Sequence, residues 1–145
     1  MAERTENIEN GRFKSEFGYE LATYRWSVTD PKVVCSLYYF IFQKKFQFLL
    51  YLSHGYGEYA ASKAYTMEFI GRIQNIGGAV YAHDHYGHGH SAKDQNMRCN
   101  FNFQQAAEDL KKRLLDVKIN NPDIPLSAFQ KQVYKSIYFV IILRT

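Results

Sequence analysis

Residues 51–91 decide the fold, and they read YLSHGYGEYAASKAYTMEFIGRIQNIGGAVYAHDHYGHGHS. The segment opens on an apolar run that stops at Ser53, and a tight glycine turn, His54–Gly57, follows it. From Glu58 the apolar residues recur at helical spacing until a glycine pair stops the pattern. A second apolar run, Ala79–Asp84, leads into a loop rich in histidine and glycine. The segment therefore predicts strand, turn, helix, strand and loop.

The flanking sequence adds strands before this segment and a helix after it. A polar lead over residues 1–12 precedes Phe13–Trp26, which predicts two short strands turning near Gly18. Apolar residues dominate Val33–Ser53, which predicts two more strands joined by a polar turn. A second predicted helix ends at Asn120-Asn121-Pro122. Its predicted buried face comprises Phe103, Ala106, Leu110, Leu114 and Val117.

Strands that alternate with helices predict an α/β fold, in which helices pack on a parallel sheet behind an N-terminal antiparallel hairpin. Ligand chemistry in such sheets lies at the carboxyl ends of the strands. Both glycine-containing loops are expected there.

Composition limits the classes of protein that this chain could represent. Its 145 residues are 46% hydrophobic and 22% charged, which is enough for one globular domain. The net charge is +4, but the basic residues are dispersed, with small groups only at Lys44-Lys45 and Lys111-Lys112-Arg113. This dispersion argues against nucleic-acid binding.

The polar start lacks the basic and apolar parts of a secretory signal, and no apolar run is long enough to span a membrane. Cys35 and Cys99 are far apart and indicate neither a disulfide framework nor a structural zinc site. We expect a cytoplasmic protein without cofactor or metal, whose membrane contact, if it makes any, is peripheral.

The first loop, taken alone, fits a dinucleotide-binding fingerprint. Gly55-x-Gly57-x-x-Ala60 follows a predicted strand, and Asp84 ends the next strand, where an acid that binds ribose would stand. Glu58 argues against this interpretation, because it places a negative charge near the expected phosphates.

The second loop, taken alone, suggests zinc, because neutral imidazoles at close spacing are good ligands for this metal. His83, His85, His88 and His90 resemble the ligand run of metallo-β-lactamase-like hydrolases. Gly87 replaces the aspartate of that run that holds the second metal, further ligands must come from elsewhere, and the only histidine outside the run is His54.

Taken together and in order, the two loops resemble the monoacylglycerol lipases, which belong to the serine aminopeptidase-like branch of the α/β-hydrolase superfamily. The first motif is His54-Gly55-Tyr56-Gly57-Glu58, and the second is Asp84-x-x-Gly87-His88-Gly89-x-Ser91. The resemblance covers about Phe13–Val34 and Tyr51–Leu126. It implies that the chain forms an incomplete α/β-hydrolase sheet. It also implies that the parent enzyme, of which this chain is the N-terminal portion, cleaves carboxylic esters of lipids.

The resemblance also implies roles for the two motifs. The Tyr56 N–H would be one of two donors that bind the oxyanion of the tetrahedral intermediate. His54 would orient this turn, and the second motif would brace it without performing chemistry.

The catalytic residues of this family are missing from the chain. No serine stands in a GxSxG elbow, since Ser91 has Gly89 before it but Lys93 after it, and no histidine follows His90. We therefore predict a truncated single domain, 1–145, without activity of its own.

Two segments depart from the family pattern. They are an aromatic insertion at residues 35–50 and an apolar tail at residues 127–145, of which Ile137–Leu143 is predicted to pair as a surrogate strand. The insertion raises an alternative, a non-catalytic module that binds a lipid or a protein partner. Its candidate residues are Tyr38, Tyr39, Phe40, Phe42, Phe46 and Phe48.

Overall fold

The computed structural model describes residues 8–27, 47–61, 63–92, 101–130 and 139–143. They form six strands, two α-helices and one short 3₁₀ helix. In chain order these are β1 (Ile8–Lys14), β2 (Glu20–Trp26), β3 (Phe48–Ser53), α1 (Lys63–Asn75), β4 (Gly78–His83), the 3₁₀ helix Gly89–Ser91, α2 (Phe103–Ile119), β5 (Leu126–Gln130) and β6 (Phe139–Leu143).

The strands form one mixed sheet in the order β1-β2-β4-β3-β5-β6. The three central strands β4, β3 and β5 are parallel, and the pairs β1-β2, β2-β4 and β5-β6 are antiparallel. The predicted α/β class with its N-terminal hairpin is therefore confirmed. The hairpin starts earlier than predicted, at Ile8. The polar residues that precede Phe13 also pair with β2, from Arg12 opposite Ala22 to Ile8 opposite Trp26.

The two helices cover opposite faces of the sheet. Ile70 of α1 packs with Leu52 and Val80 in one core, and Leu114 of α2 packs with Tyr51 in the other. Every residue of β4 is buried, as expected for a parallel strand with both faces covered. At Gly78 an added Cβ would lie 2.6 Å from side-chain atoms of Phe48 and Ile73, so this position requires glycine.

The helices begin and end close to their predicted limits, with two corrections. Helix α1 begins at Lys63 and not at Glu58, because Glu58 closes a hydrogen-bonded turn with Gly55 and residues 60–61 form another turn. Asn102 caps α2 by accepting hydrogen bonds from the Gln104 and Gln105 N–H groups. Phe103, predicted to be buried, is 73% exposed, and its ring contacts that of Phe101 at a centroid distance of 4.7 Å.

Both segments that depart from the family pattern contribute residues to the sheet. Residues 48–50 belong to β3 and residues 127–130 to β5, so regular sheet pairing extends into both segments. The predicted tail strand is present as β6, which pairs with β5. Phe48 is half-buried against Gly78. The first strand predicted in Val33–Ser53 and the other aromatic candidates, Tyr38 to Phe46, lie outside the described residues.

Candidate oxyanion site

Two loops meet at the carboxyl edge of the parallel strands. The first, His54–Glu58, follows β3, and the second, Asp84–Ser91, follows β4. Ser53 and His83 are paired in register at the ends of these strands, so the loops begin side by side. This is the edge at which α/β proteins bind their ligands.

Hydrogen bonds within the first loop form a tight turn. The Glu58 N–H donates to the Gly55 carbonyl at 3.1 Å, and the Gly55 N–H donates to Glu58 Oε2 at 3.3 Å. Gly57 has a φ of +79°, a left-handed conformation that favours glycine. The Gly57 N–H donates across to His88 Nε2 in the second loop, at 3.3 Å.

The Tyr56 N–H lies between these two satisfied donors. It makes no hydrogen bond to any residue that the structure describes, and Tyr56 is 50% exposed. The turn therefore leaves one backbone donor without a partner among the described residues and keeps the donors on either side engaged.

A reciprocal pair of imidazoles joins the loops. His88 accepts from Gly57, while His54 Nε2 accepts the His85 N–H at 3.0 Å. His54 Nδ1 donates to the Gly55 carbonyl and His88 Nδ1 to the Tyr86 carbonyl, so each Nε2 must carry a lone pair. Both contacts therefore require neutral rings. Burial lowers the pKa of His54, which favours its neutral form.

Asp84 is fully buried and connects three parts of the fold. Its carboxylate accepts hydrogen bonds from the Ala60 N–H at 2.7 Å, the Tyr24 hydroxyl at 2.7 Å and the His90 N–H at 2.8 Å. A Cβ at Gly89 would lie 2.3 Å from Asp84 Oδ2, so only glycine fits there. Burial, followed by the hydrogen bond to Asp84, raises the pKa of the Tyr24 hydroxyl well above its usual value.

Ser91 connects the second loop to strand β2. Its hydroxyl donates to the Asp84 carbonyl at 2.7 Å and accepts the Ala22 N–H at 2.8 Å. The side chain is 1% exposed and its only proton is already donated. This geometry is that of a structural hydroxyl and not of a nucleophile.

A second serine, at the end of β3, contacts a histidine of the second loop. Ser53 Oγ lies 3.1 Å from His85 Nε2, a distance at which a base could activate a nucleophile. Both side chains are only 3% exposed, and His85 Nδ1 has no hydrogen-bond partner among the described residues. The pair therefore lacks both an orienting carboxylate and access for a substrate.

The histidines of the second loop do not converge on one point. His83 Nδ1 lies 2.6 Å from the Tyr51 hydroxyl. His88 bonds to Gly57 and to the Tyr86 carbonyl, as described above, and His90 Nδ1 contacts the Tyr24 hydroxyl. No group of three potential ligand side chains occurs within the described ranges. The zinc interpretation of this run is therefore wrong for the described residues, because each ring faces a different hydrogen-bond partner.

The dinucleotide interpretation is also wrong. Asp84 is buried and its oxygens are occupied, so it cannot bind a ribose hydroxyl. The turn is not the first turn of a helix, because α1 begins only at Lys63. The Gly55 N–H, one of the donors a pyrophosphate would need, is already bound to Glu58.

Aromatic rings lie beside the first loop. The centroid of Phe101 lies 5.9 Å from that of Tyr56, 5.4 Å from that of His88 and 4.7 Å from that of Phe103. No pattern in the sequence predicted this group, because Phe101 and Phe103 lie more than forty residues after the loop. Neither described helix is long and apolar enough to cross a bilayer.

Comparisons with known proteins agree with this fold. The chain is 23% identical to a highly thermostable carboxyl esterase from Bacillus coagulans, covering 86% of this chain and 36% of that one, with a TM-score of 0.61. A soluble variant of monoglyceride lipase from Saccharomyces cerevisiae is 17% identical, with 88% and 36% covered and a TM-score of 0.59. An esterase from Pyrococcus furiosus is 16% identical, with 88% and 41% covered and a TM-score of 0.62.

The chain thus spans well under half of each of these structures, and it has part of an α/β-hydrolase fold. No curated protein sequence matches it. Residues 44–129 match the family model described as serine aminopeptidase, S33. The matched region includes the end of the predicted insertion, residues 44–50, and the beginning of the predicted tail, residues 127–129. Because the match covers more than half of the sequence, the chain belongs to the serine aminopeptidase S33 family.

Proposed function

We propose that this chain carries the oxyanion-binding part of a serine hydrolase that acts on carboxylic esters of lipids, and that its 145 residues alone do not turn over an ester. One observation carries the proposal. The Tyr56 N–H has no hydrogen-bond partner among the described residues, whereas the Gly55 and Gly57 N–H groups are bound. A preorganised donor of this kind contributes about 3 to 4 kcal/mol to an acyl-transfer transition state.

The surroundings of Tyr56 support a lipid as the substrate class. Phe103 and Tyr56 are 73% and 50% exposed, and Phe101 lies between their rings. Exposed aromatic rings beside a polar donor suit a ligand with an apolar chain and a carbonyl group. The monoglyceride lipase and the esterases among the similar structures are consistent with this class.

Inactivity follows from the residues that are present. The sequence contains no GxSxG, and its last histidine is His90. Ser91 and Ser53 are buried in structural hydrogen bonds. An oxyanion donor without an attacking group and a base contributes little to acyl transfer.

We expect a serine-reactive fluorophosphonate probe to leave the purified chain unlabelled, and we expect monoacylglycerol hydrolysis at the buffer rate. An active lipase serves as the positive control. Covalent labelling that disappears in Ser53→Ala or Ser91→Ala would identify an activated serine and refute the proposed inactivity.

Amide hydrogen exchange tests the oxyanion donor directly. We expect the Tyr56 amide to exchange as fast as an exposed amide, and the Gly57 amide to exchange roughly tenfold more slowly because of its bond to His88. His88→Leu should remove the protection of Gly57, and His88→Gln, which keeps an acceptor, should retain part of it. A strongly protected Tyr56 amide would mean that its N–H is unavailable to a substrate.

A further inference from the structure

A cleft of about 260 Å³ opens beside His90, near the end of the second loop. The β1-β2 hairpin and the 3₁₀ helix form its walls, and Asn10, Arg12, Tyr24 and His90 supply side chains to it. None of the described residues that line it is acidic. The cleft therefore combines hydrogen-bonding groups with a net positive charge.

The hydrogen bonds behind His90 determine which of its ring nitrogens carries a proton. The Tyr24 hydroxyl donates its single proton to Asp84 Oδ2 at 2.7 Å. The Tyr24 oxygen also lies 2.7 Å from His90 Nδ1, and in this second hydrogen bond His90 Nδ1–H must be the donor. The neutral ring thus keeps a lone pair on Nε2, which makes no hydrogen bond to any described residue.

Arg12 supplies the positive charge. One of its five N–H groups donates to the His90 carbonyl at 3.0 Å, which fixes the guanidinium beside the imidazole. Arg12 forms no ion pair with any residue in the described ranges. Its other donors bond to no described residue, and the guanidinium can direct them toward an anion in the cleft.

We propose that this cleft binds a phosphate group that retains one proton. Arg12 and the Asn10 amide donate to the ionised oxygens, while the P–OH donates to His90 Nε2. The Asp84 carboxylate lies behind Tyr24, and its negative charge disfavours an anion that has no proton to donate. Sulfate, which is fully ionised at neutral pH, lacks the donor that His90 requires.

Chemical-shift titration of the chain with inorganic phosphate at pH 7, at constant ionic strength, tests the proposal. We expect shifts at residues 10–12, 22–24 and 90, and binding of sulfate at least about tenfold weaker, which corresponds to one lost charge-assisted hydrogen bond. Arg12→Gln should abolish binding of both anions. Arg72→Gln, the matched control on the exposed face of α1, should leave binding unchanged.

His90→Phe separates selectivity from charge, because it removes the acceptor and leaves Arg12 in place. We expect this variant to bind phosphate and sulfate equally weakly. Equal binding of the two anions by the unmodified chain, or phosphate shifts outside the cleft, would overturn the proposal.

A free phosphate and a lipid headgroup share this chemistry, and vesicles distinguish them. Phosphatidic acid vesicles that retain the chain, with loss of retention in Arg12→Gln and competition by inorganic phosphate, would identify a lipid source. Retention that is equal on phosphatidylcholine vesicles would contradict headgroup recognition. Titration by inorganic phosphate without vesicle binding would identify a soluble source.

Discussion

Asp84→Ala is expected to remove a large part of the folding stability of the chain at 25 °C. The substitution leaves the Ala60 N–H, the His90 N–H and the Tyr24 hydroxyl without their acceptor, in or near the protein interior. Each unpaired buried donor costs about 1 to 3 kcal/mol, so the combined loss is about 3 to 9 kcal/mol. Domains of this size are stable by only about 5 to 15 kcal/mol.

Urea unfolding measures this loss through the fluorescence of Trp26, which is the single tryptophan and is buried beside Tyr24. Asp84→Asn preserves the size of the side chain and one carbonyl oxygen, and we expect it to lose less stability than the alanine variant. Asp123→Asn, at an exposed position, is the matched control and should change stability by under about 0.5 kcal/mol. A loss below 1 kcal/mol in Asp84→Ala would show that these three hydrogen bonds do not hold the loops.

The importance of Asp84 was only partly predictable from the sequence. Asp84 belongs to the second motif, a short stretch that can be read directly from the sequence. The family resemblance covers this motif and implies a structural role for it. Its partner Tyr24 lies sixty residues away, and strand alternation predicts the face on which a side chain lies but not the residue it meets. The sequence therefore predicted the loop but not the contact that holds it to strand β2.

The same distinction explains the other differences. Strands β3 and β4 were predictable because each is an apolar run that ends at a glycine-containing loop. The start of α1 was not, because Glu58 and Ala61 fit a helical pattern but take part in turns. Phe103 has helical spacing relative to Leu110 and Leu114, yet it lies in the first turn of α2, is exposed and contacts the ring of Phe101. Periodicity identifies one face of a helix and does not show where the neighbouring sheet stops.

The buried histidines make stability depend on pH in a predictable direction. Burial lowers the pKa of His83 to about 3 and that of His85 well below its usual value, and it lowers the pKa of His54 as well. The folded chain therefore keeps these rings neutral at pH values where the unfolded chain, with histidine pKa values near 6.5, binds protons. Above about pH 6.5 the neutral rings contribute their full amount to the free energy of unfolding, and this contribution is lost as the pH falls toward 3.

We expect the free energy of unfolding to fall by about 2 kcal/mol between pH 7 and pH 5 from His83 alone, with His85 and His54 acting in the same direction. Urea unfolding across this range measures the change. His85→Gln removes one of the titrating rings and keeps a group that hydrogen-bonds with Ser53, so its loss of stability between pH 7 and pH 5 should be smaller. Lys111→Gln, an exposed charge change on α2, should leave the pH dependence unaltered. Equal stability at pH 7 and pH 5 would contradict the burial of neutral imidazoles, because a group with the same pKa in both states contributes no pH dependence.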